Sequence, residues 1–475
     1  MASERQEVFV PGQTVFQKIV LVALCVSTLA YLVYTLAEGT ANARFIQVGM
    51  VVGVLAYLAT FVDVVLGLAF LIACVGFSPE MSMAGMHHLR IEDFIIPALL
   101  LAWLTREAER REPLVAVPFK GPALLYFVAM LASTLLGAAS GTTKPEIGLL
   151  ILGKFVEYYL IFLIVANNVR TPGEFKALLL FAVVVAMAGP LLGFARPDAT
   201  GGTPVGFQRV FGPSGETSNI YGGYLILYLS VAAGLYLHAT TTSHRFAAGV
   251  ALVFLSGGLL YTYSRTSYVS QLAALGIFGV LKARRLLIIL VLLVAVFPLL
   301  APDEVFKRAS TIMGIFDGSG NPSWDARTDA WKLAVGRMSG TDFLWGKGVG
   351  AVKFGDVDSE YVRILVDTGI LGLGAFVWFL VRLGVHAGRL YDSLAPAGLF
   401  KGYAAGFMTA YFGLIVHGLA ATSFSSIRTM ESFMILTGLT ACLASRCREW
   451  ELILPNHELR TTNYGPEIPA SVRNS

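Results

Sequence analysis

Apolar block follows apolar block along this chain from residue 16 to residue 446, and that repetition leaves few folds open. A helix that crosses a bilayer needs about 20 mostly apolar residues. Such spans are expected at 16–37, 45–60, 62–77, 91–104, 120–139, 146–166, 176–193, 219–238, 246–263, 266–281, 285–301, 358–381, 402–421 and 428–446. That makes about fourteen, or twelve if the short segments within 45–77 and at 91–104 do not all cross. Charged residues make up only 14% of the chain, against about 25% in a soluble domain. The expectation is an all-α polytopic membrane protein. Residues 1–13 are polar and an apolar run follows without a convincing cleavage site, so a first transmembrane helix is expected rather than a signal peptide. A net charge of +4 is too small to argue for nucleic acid as a partner. The four cysteines, Cys25, Cys74, Cys442 and Cys447, lie in or beside apolar runs without metal-ligand spacing and read as small hydrophobes.

Charge orients the array. Arg106, Arg110 and Arg111 share one connection, Lys282, Arg284 and Arg285 a second, and Arg382, Arg389 and Lys401 a third. With Arg170, Lys176, Arg245, Arg446 and Arg448 they alternate onto one side, which the positive-inside rule makes cytoplasmic. The segments 194–218 and 302–357 then face outward, as does the short link at Arg265. The resulting layout is a cytoplasmic N-terminus at 1–15, transmembrane helices over 16–301 with the outward loop 194–218, and a large periplasmic loop at 302–357. C-terminal helices over 358–446 and a cytoplasmic tail at 447–475 complete it. The large loop holds seven basic and seven acidic residues, so it is no basic patch. Arg90, Arg196, Arg209, Arg265 and Arg428 lie on the side that should be poor in arginine. A cation kept there usually has a partner: a diphosphate or lipid headgroup on one reading, a salt bridge or snorkelling contact on the other.

Several constellations have the right chemistry for a reaction site. Arg265 sits among hydroxyls in Tyr263-Ser264-Arg265-Thr266-Ser267-Tyr268, between two apolar runs with almost no loop. Its planar fork suits bidentate recognition of phosphate oxygens; bonding to helix C-terminal carbonyls is the structural alternative. Arg209 opens a Gly/Pro turn that leads into a helix capped by Ser218 or Asn219, whose free amides could hold an anion or merely be capped. Arg327 and Trp331 are four residues apart on an expected short amphipathic helix over 325–338, with Trp331 either stacking on a sugar or anchoring at the interface. Gly346-Lys347-Gly348-Val349-Gly350 lacks the ending of a nucleotide-binding loop and signals only tight turns. Asp358, Glu360 and Tyr361 stand where the loop enters the next span, as a base for a sugar hydroxyl or as complements to the helix dipole. Asp367 either faces a polar cavity or pairs with Arg363, and Lys154 with Glu157 neutralises itself. His417 has no companion at metal spacing and reads as buried and hydrogen-bonded.

In their order along the chain these segments resemble the bacterial O-antigen ligase and Wzy-type polysaccharide polymerase superfamily. The resemblance covers roughly 145–446 and is most specific over 209–373. It is carried by Arg209-Val210-Phe211-Gly212, Ser264-Arg265-Thr266-Ser267, Arg327 with Trp331, the glycine turn at 346–350, Tyr361, and Asp367-Thr368-Gly369-Ile370-Leu371-Gly372-Leu373. It implies a GT-C-like bundle of about 12–14 helices in the bacterial cytoplasmic (inner) membrane, with its active face periplasmic. The implied chemistry moves a glycan from undecaprenyl diphosphate to a sugar hydroxyl without a nucleotide sugar. Arg209, Arg265 and Arg327 would grip the diphosphate; Asp358 or Glu360 would stand in as base, or no general base is needed. Trp331, Tyr361, Tyr268 and Arg428 would contact substrate. Partners implied are the lipid-linked donor and acceptor, membrane lipids, a chain-length regulator and export machinery. No cofactor is expected and the sequence shows no metal cluster, with a divalent ion shared with the diphosphate left open. Ligases of the superfamily carry a histidine in the large loop, whereas no histidine occurs in 302–385. That departure favours a polymerase of lipid-linked repeat units over a ligase acting on lipid A core or protein. A flippase is the alternative from another class, but no self-similarity between halves supports it.

Overall fold

The computed structural model describes residues 47, 51–59, 64–78, 81–83, 86–110, 114–194, 212, 216–284, 286–287, 290–291, 322–352 and 356–452. The expected first span at 16–37, most of 285–301, and Arg196 and Arg209 lie outside them. The protein is an all-α polytopic membrane protein, and eight helices among the described residues are long and apolar enough to cross a bilayer.

The chain divides into two compact units. One comprises residues 1–71 and 80–112, the other 72–79 and 113–475. Helix α1 (Val64–Phe77) passes from the first into the second. A two-stranded antiparallel ribbon follows, β1 (Met81–Met83) and β2 (Met86–Leu89), and then α2 (Glu92–Arg110), which carries Pro97 inside it. Within the first unit Arg90 is fully buried against Glu92 at 2.5 Å, so this arginine meets a carboxylate rather than an outward anion.

The second unit holds α3 (Lys120–Ala139), α4 (Pro145–Asn168), α5 (Pro172–Phe194), α6 (Ser218–Leu237), α7 (Thr242–Tyr261) and α8 (Arg265–Leu281). After them come α9 (Pro322–Gly336), α10 (Asp342–Trp345), α11 (Glu360–Ser393), α12 (Leu399–His417) and α13 (Ile427–Arg446). Local chemistry sets several starts: Pro145 opens α4, and the Thr241 side chain accepts from the His244 amide to cap α7. Helices α6 and α12 pack closely because Gly234 faces Gly402 and Gly406, where any Cβ would meet backbone. The expected helix at 325–338 is found at Pro322–Gly336.

Contacts between connections give the unit two ends. At one, Lys282 pairs with Asp392 at 2.6 Å, the Gly398 amide reaches His238 O at 2.8 Å, and Trp450 Nε1 reaches Arg170 O at 3.2 Å. At the other, the Glu360 amide reaches Gly418 O at 2.9 Å and Asn219 meets the α7–α8 link through Ser264. Arg170, Lys282, Lys401 and Arg446 belong to the first end; Arg265, Arg327 and Arg428 belong to the second.

Helix α11 departs most from expectation. It runs 34 residues, about 51 Å at 1.5 Å per residue, where a span over 358–381 is expected. It also breaks at Gly369, whose φ of 66° lies in the left-handed region that glycine alone adopts freely. A break frees backbone carbonyls, which at membrane depth must find donors. The glycine turn supplies them: Lys347 N donates to Val366 O at 2.8 Å, and Gly348 N to Asp367 O at 3.1 Å. Ser133 of α3 also donates to Asp367 O, and Thr143 Oγ1 donates to Val349 O at 3.0 Å. The turn that reads as a weak motif in sequence is thus the plug of a broken helix.

Candidate active site

Helix α8 begins where α7 ends, with only Thr262, Tyr263 and Ser264 between them. Tyr263 takes a left-handed φ of 50°, which turns the chain tightly enough for α8 to start at once. Ser264 caps the new helix by accepting from the Ser267 amide at 3.3 Å. Arg265 and Thr266 therefore occupy the first turn, at the helix end where partial positive charge gathers.

The large loop delivers a second guanidinium to the same turn. Arg327 on α9 donates through Nη1 to Thr266 Oγ1 at 3.3 Å and through Nε to Asp358 Oδ2 at 3.0 Å. Its side chain is 22% exposed and that of Asp358 40%, so the pair is reachable from solvent. Residues 61 apart in sequence thus meet at one point, with a carboxylate beside them. Such a cluster can hold a multiply charged anion by forked hydrogen bonds and leave a base at its edge.

Other expected site residues are placed elsewhere or tied up. Glu360 is fully buried: Oε2 accepts from the Phe424 and Ser425 amides at 3.0 and 3.2 Å, and Oε1 from Ser425 Oγ at 2.5 Å. It anchors the turn before α13, with both carboxylate oxygens engaged there. Arg428 is 1% exposed and pairs with Glu216 at 2.7 Å, with Gly76 O and Ser78 O taking its remaining edge. It is a structural arginine, the salt-bridge alternative weighed for the outward arginines. Tyr268 donates to Leu260 O, and Tyr361 to Ile415 O at 2.9 Å, so both hydroxyls serve the bundle. Trp331 packs against the small core of Ala334, Met338, Val357 and Val366 and meets Trp324 edge to face. It holds α9 on α11 instead of standing as an open sugar platform.

Asp367 pairs with Arg363 at 3.7 Å, as the four-residue spacing allows, and Lys154 with Glu157 at 2.9 Å. Among the described residues no group of three or more His, Cys, Asp or Glu is placed to hold a metal. Two features escaped the sequence reading. One is the break of α11, whose available signal was Gly369 and Gly372 inside an apolar run. The other is the polar cluster beneath α8, where His417 touches Ser267 and Ser423, side chains 150 and 6 residues away. Periodicity carries no mark of that cluster.

Comparison with curated proteins gives no match. Residues 250–377 match the family model described as O-antigen ligase, Wzy_C. The matched stretch takes in the end of α7, α8 with Arg265, the loop with Arg327, and the broken half of α11. The segment in which Arg327 meets the first turn of α8, with the plugged break that follows, is thus the part of the chain similar to the O-antigen ligase family model, which is consistent with the O-antigen ligase/Wzy superfamily.

Proposed function

We propose that this protein polymerises undecaprenyl-diphosphate-linked oligosaccharide repeat units into a surface or secreted polysaccharide. The observation that carries the reading is that Arg327 bonds Thr266, the residue next to Arg265 in the first turn of α8, inside the matched segment and beside a half-exposed carboxylate. The reaction breaks the bond between the donor's anomeric carbon and the diphosphate oxygen, and forms one from that carbon to an acceptor hydroxyl. Undecaprenyl diphosphate leaves, and the hydroxyl proton passes to Asp358. Charge develops on the leaving diphosphate, so guanidiniums already in place lower the barrier without reorganising. Arg209 is proposed as a further contact to the same diphosphate.

The basic end of the bundle is assigned to the cytoplasm by the positive-inside rule, which turns the two-arginine end toward the periplasm of a bacterial inner membrane. A ligase that moves finished glycan to lipid A core or protein is the second reading, favoured by the description of the matched family. The absence of a histidine from 302–385 supports the polymerase instead. Arg265→Ala should abolish long polymer while single lipid-linked repeats accumulate, read on a sizing gel of the lipid-linked glycans. Normal chain lengths in that variant overturn the proposal. Free polymer left on undecaprenyl diphosphate after gene deletion, with none attached to an acceptor, would favour the ligase.

A further inference from the structure

Beneath the first turn of α8 lies a closed circuit of hydrogen bonds. Ser264 O–H donates to Asn219 Oδ1 at 2.8 Å. The Ser264 oxygen is left to accept, and takes Ser267 O–H at 2.8 Å as well as the Ser267 amide. A serine hydroxyl has one proton, and that of Ser267 is now spent. Its 3.1 Å contact with His417 Nε2 therefore requires the ring nitrogen to donate. On the other side Nδ1 lies 2.7 Å from Ser423 Oγ, and among the described residues no carboxylate touches the ring. His417 is fully buried, where an unpaired charge would be costly, so Nδ1 accepts from Ser423 O–H and the ring is neutral. Asn219 Nδ2 then reaches Ala420 O at 3.5 Å and returns the circuit to the turn that carries Ser423.

Packing fixes the ring as firmly as bonding does. Gly223 of α6 lies against it, with a Cβ there only 3.3 Å from the imidazole, and a Cβ at Gly222 would strike the Ser267 side chain. Three elements are thereby tied to one imidazole: α6 through Asn219, α8 through Ser264 and Ser267, and the turn after α12 through Ser423. The residue between Ser264 and Ser267 that receives Arg327 is Thr266, next to Arg265.

We propose that His417, as a neutral imidazole protonated at Nε2, is a positioning residue that holds the first turn of α8 in the geometry in which Arg265 and Arg327 grip a diphosphate. The functional half of this rests on the polymerase reading; the tautomer and the ordering of the turn do not. It assigns a histidine's role to the membrane bundle in a chain whose large loop carries none.

The first measurement is solid-state NMR of the full protein in liposomes with ¹⁵N-labelled histidine, the His417 signal being the one lost in His417→Gln. A neutral ring protonated at Nε2 is expected; an Nδ1–H tautomer or an imidazolium overturns the proposal. The second compares two near-isosteric amides. Glutamine places its N–H near the Nε2 position and should keep the bond to Ser267, whereas asparagine reaches only the Nδ1 position. His417→Asn should raise hydrogen exchange at amides 265–268 and lower polymer yield, each by about tenfold, with His417→Gln within about threefold of wild type. Equal exchange in the two variants overturns the positioning role. Should Arg265→Ala leave chain lengths normal, the polymerase reading falls, and the NMR and exchange results still decide whether His417 orders the turn.

Discussion

Arg327 and Arg428 stand at the same end of the bundle, each hydrogen-bonded through Nε to a single carboxylate, yet their surroundings are opposite. The Arg428–Glu216 pair is 1% and 5% exposed, at 2.7 Å, with helix α1's last carbonyls filling the guanidinium's other edge and Tyr224 beneath it at 5.8 Å. The Arg327–Asp358 pair is 22% and 40% exposed, at 3.0 Å, and the guanidinium also bonds a threonine hydroxyl. Every site on the first guanidinium is matched by a rigid acceptor, so it cannot take a ligand without dismantling three chain segments. Nη2 of the second is uncommitted among the described residues, and Asp358 can be exchanged for a more highly charged anion at small cost. The same residue type therefore fastens the fold in one place and is left open to solvent in another, and burial decides which.

The sharpest way to break that comparison is at the closed pair. Arg428→Ala breaks the buried ion pair with Glu216 and is expected to cost about 3–5 kcal/mol, seen as loss of folded protein in detergent melting. Removing both charges with apolar residues, Arg428→Met with Glu216→Leu, should recover most of that loss, because the penalty lies in breaking a buried pair on one side only. A single variant no less stable than wild type would remove the structural assignment of Arg428.

Next in size is the plug of α11. Gly346 has a φ of 79°, and a Cβ there would lie against the Asp367 carbonyl. Gly346→Ala is expected to cost about 1–3 kcal/mol through strained backbone and a displaced turn. The position bears on the comparison because the turn holds the loop against α11 shortly before the chain passes through Asp358 into that helix. If melting is unchanged, the glycines are no more than tolerated.

How far these sites could be read in advance follows from the range of the interactions. Helix placement was legible because apolar length is a local property, so the expected span 120–139 coincides with Lys120–Ala139 and 428–446 falls within a residue of Ile427–Arg446. Arg265 was legible as part of the short link before a span at 266–281, and the helix in fact begins at Arg265 itself. Arg428 was not separable from Arg327 by sequence, since what distinguishes them is a carboxylate 212 residues away in one case and 31 in the other. Glu360 misled for a related reason. It stands at a helix start, where carboxylates belong, but its actual partners are amides 64 and 65 residues on. The break at Gly369 was hidden because a glycine inside an apolar run is common, and only the matching donors of 347 and 348 make it a break.

On the open pair the effects on stability should be small and those on product large. Arg327→Ala is expected to change stability by less than about 1 kcal/mol, as for other partly exposed ion pairs, while long polymer disappears. Arg327→Lys should not restore it, because an ammonium cannot bond Thr266, Asp358 and a phosphate oxygen at once in the planar arrangement a guanidinium provides. A lysine variant with normal polymer would show that charge alone suffices there.

Asp358→Asn probes the open pair most finely. The amide keeps an oxygen for Arg327 Nε and nearly the same shape, so melting should stay within about 0.5 kcal/mol of wild type. What it loses is the ability to take the acceptor's proton, a contribution of about 10²–10⁴ in rate for a well-placed base. Polymer formed per unit time from purified lipid-linked repeats should therefore fall by about that factor, with the donor concentration giving half-maximal rate little changed. A rise in that concentration at unchanged maximal rate would make Asp358 a holder of Arg327 and no base. With Glu360 sealed behind Phe424 and Ser425, the acceptor hydroxyl would then give up its proton to the departing diphosphate itself, and the two arginines would be left to supply the catalysis by charge alone.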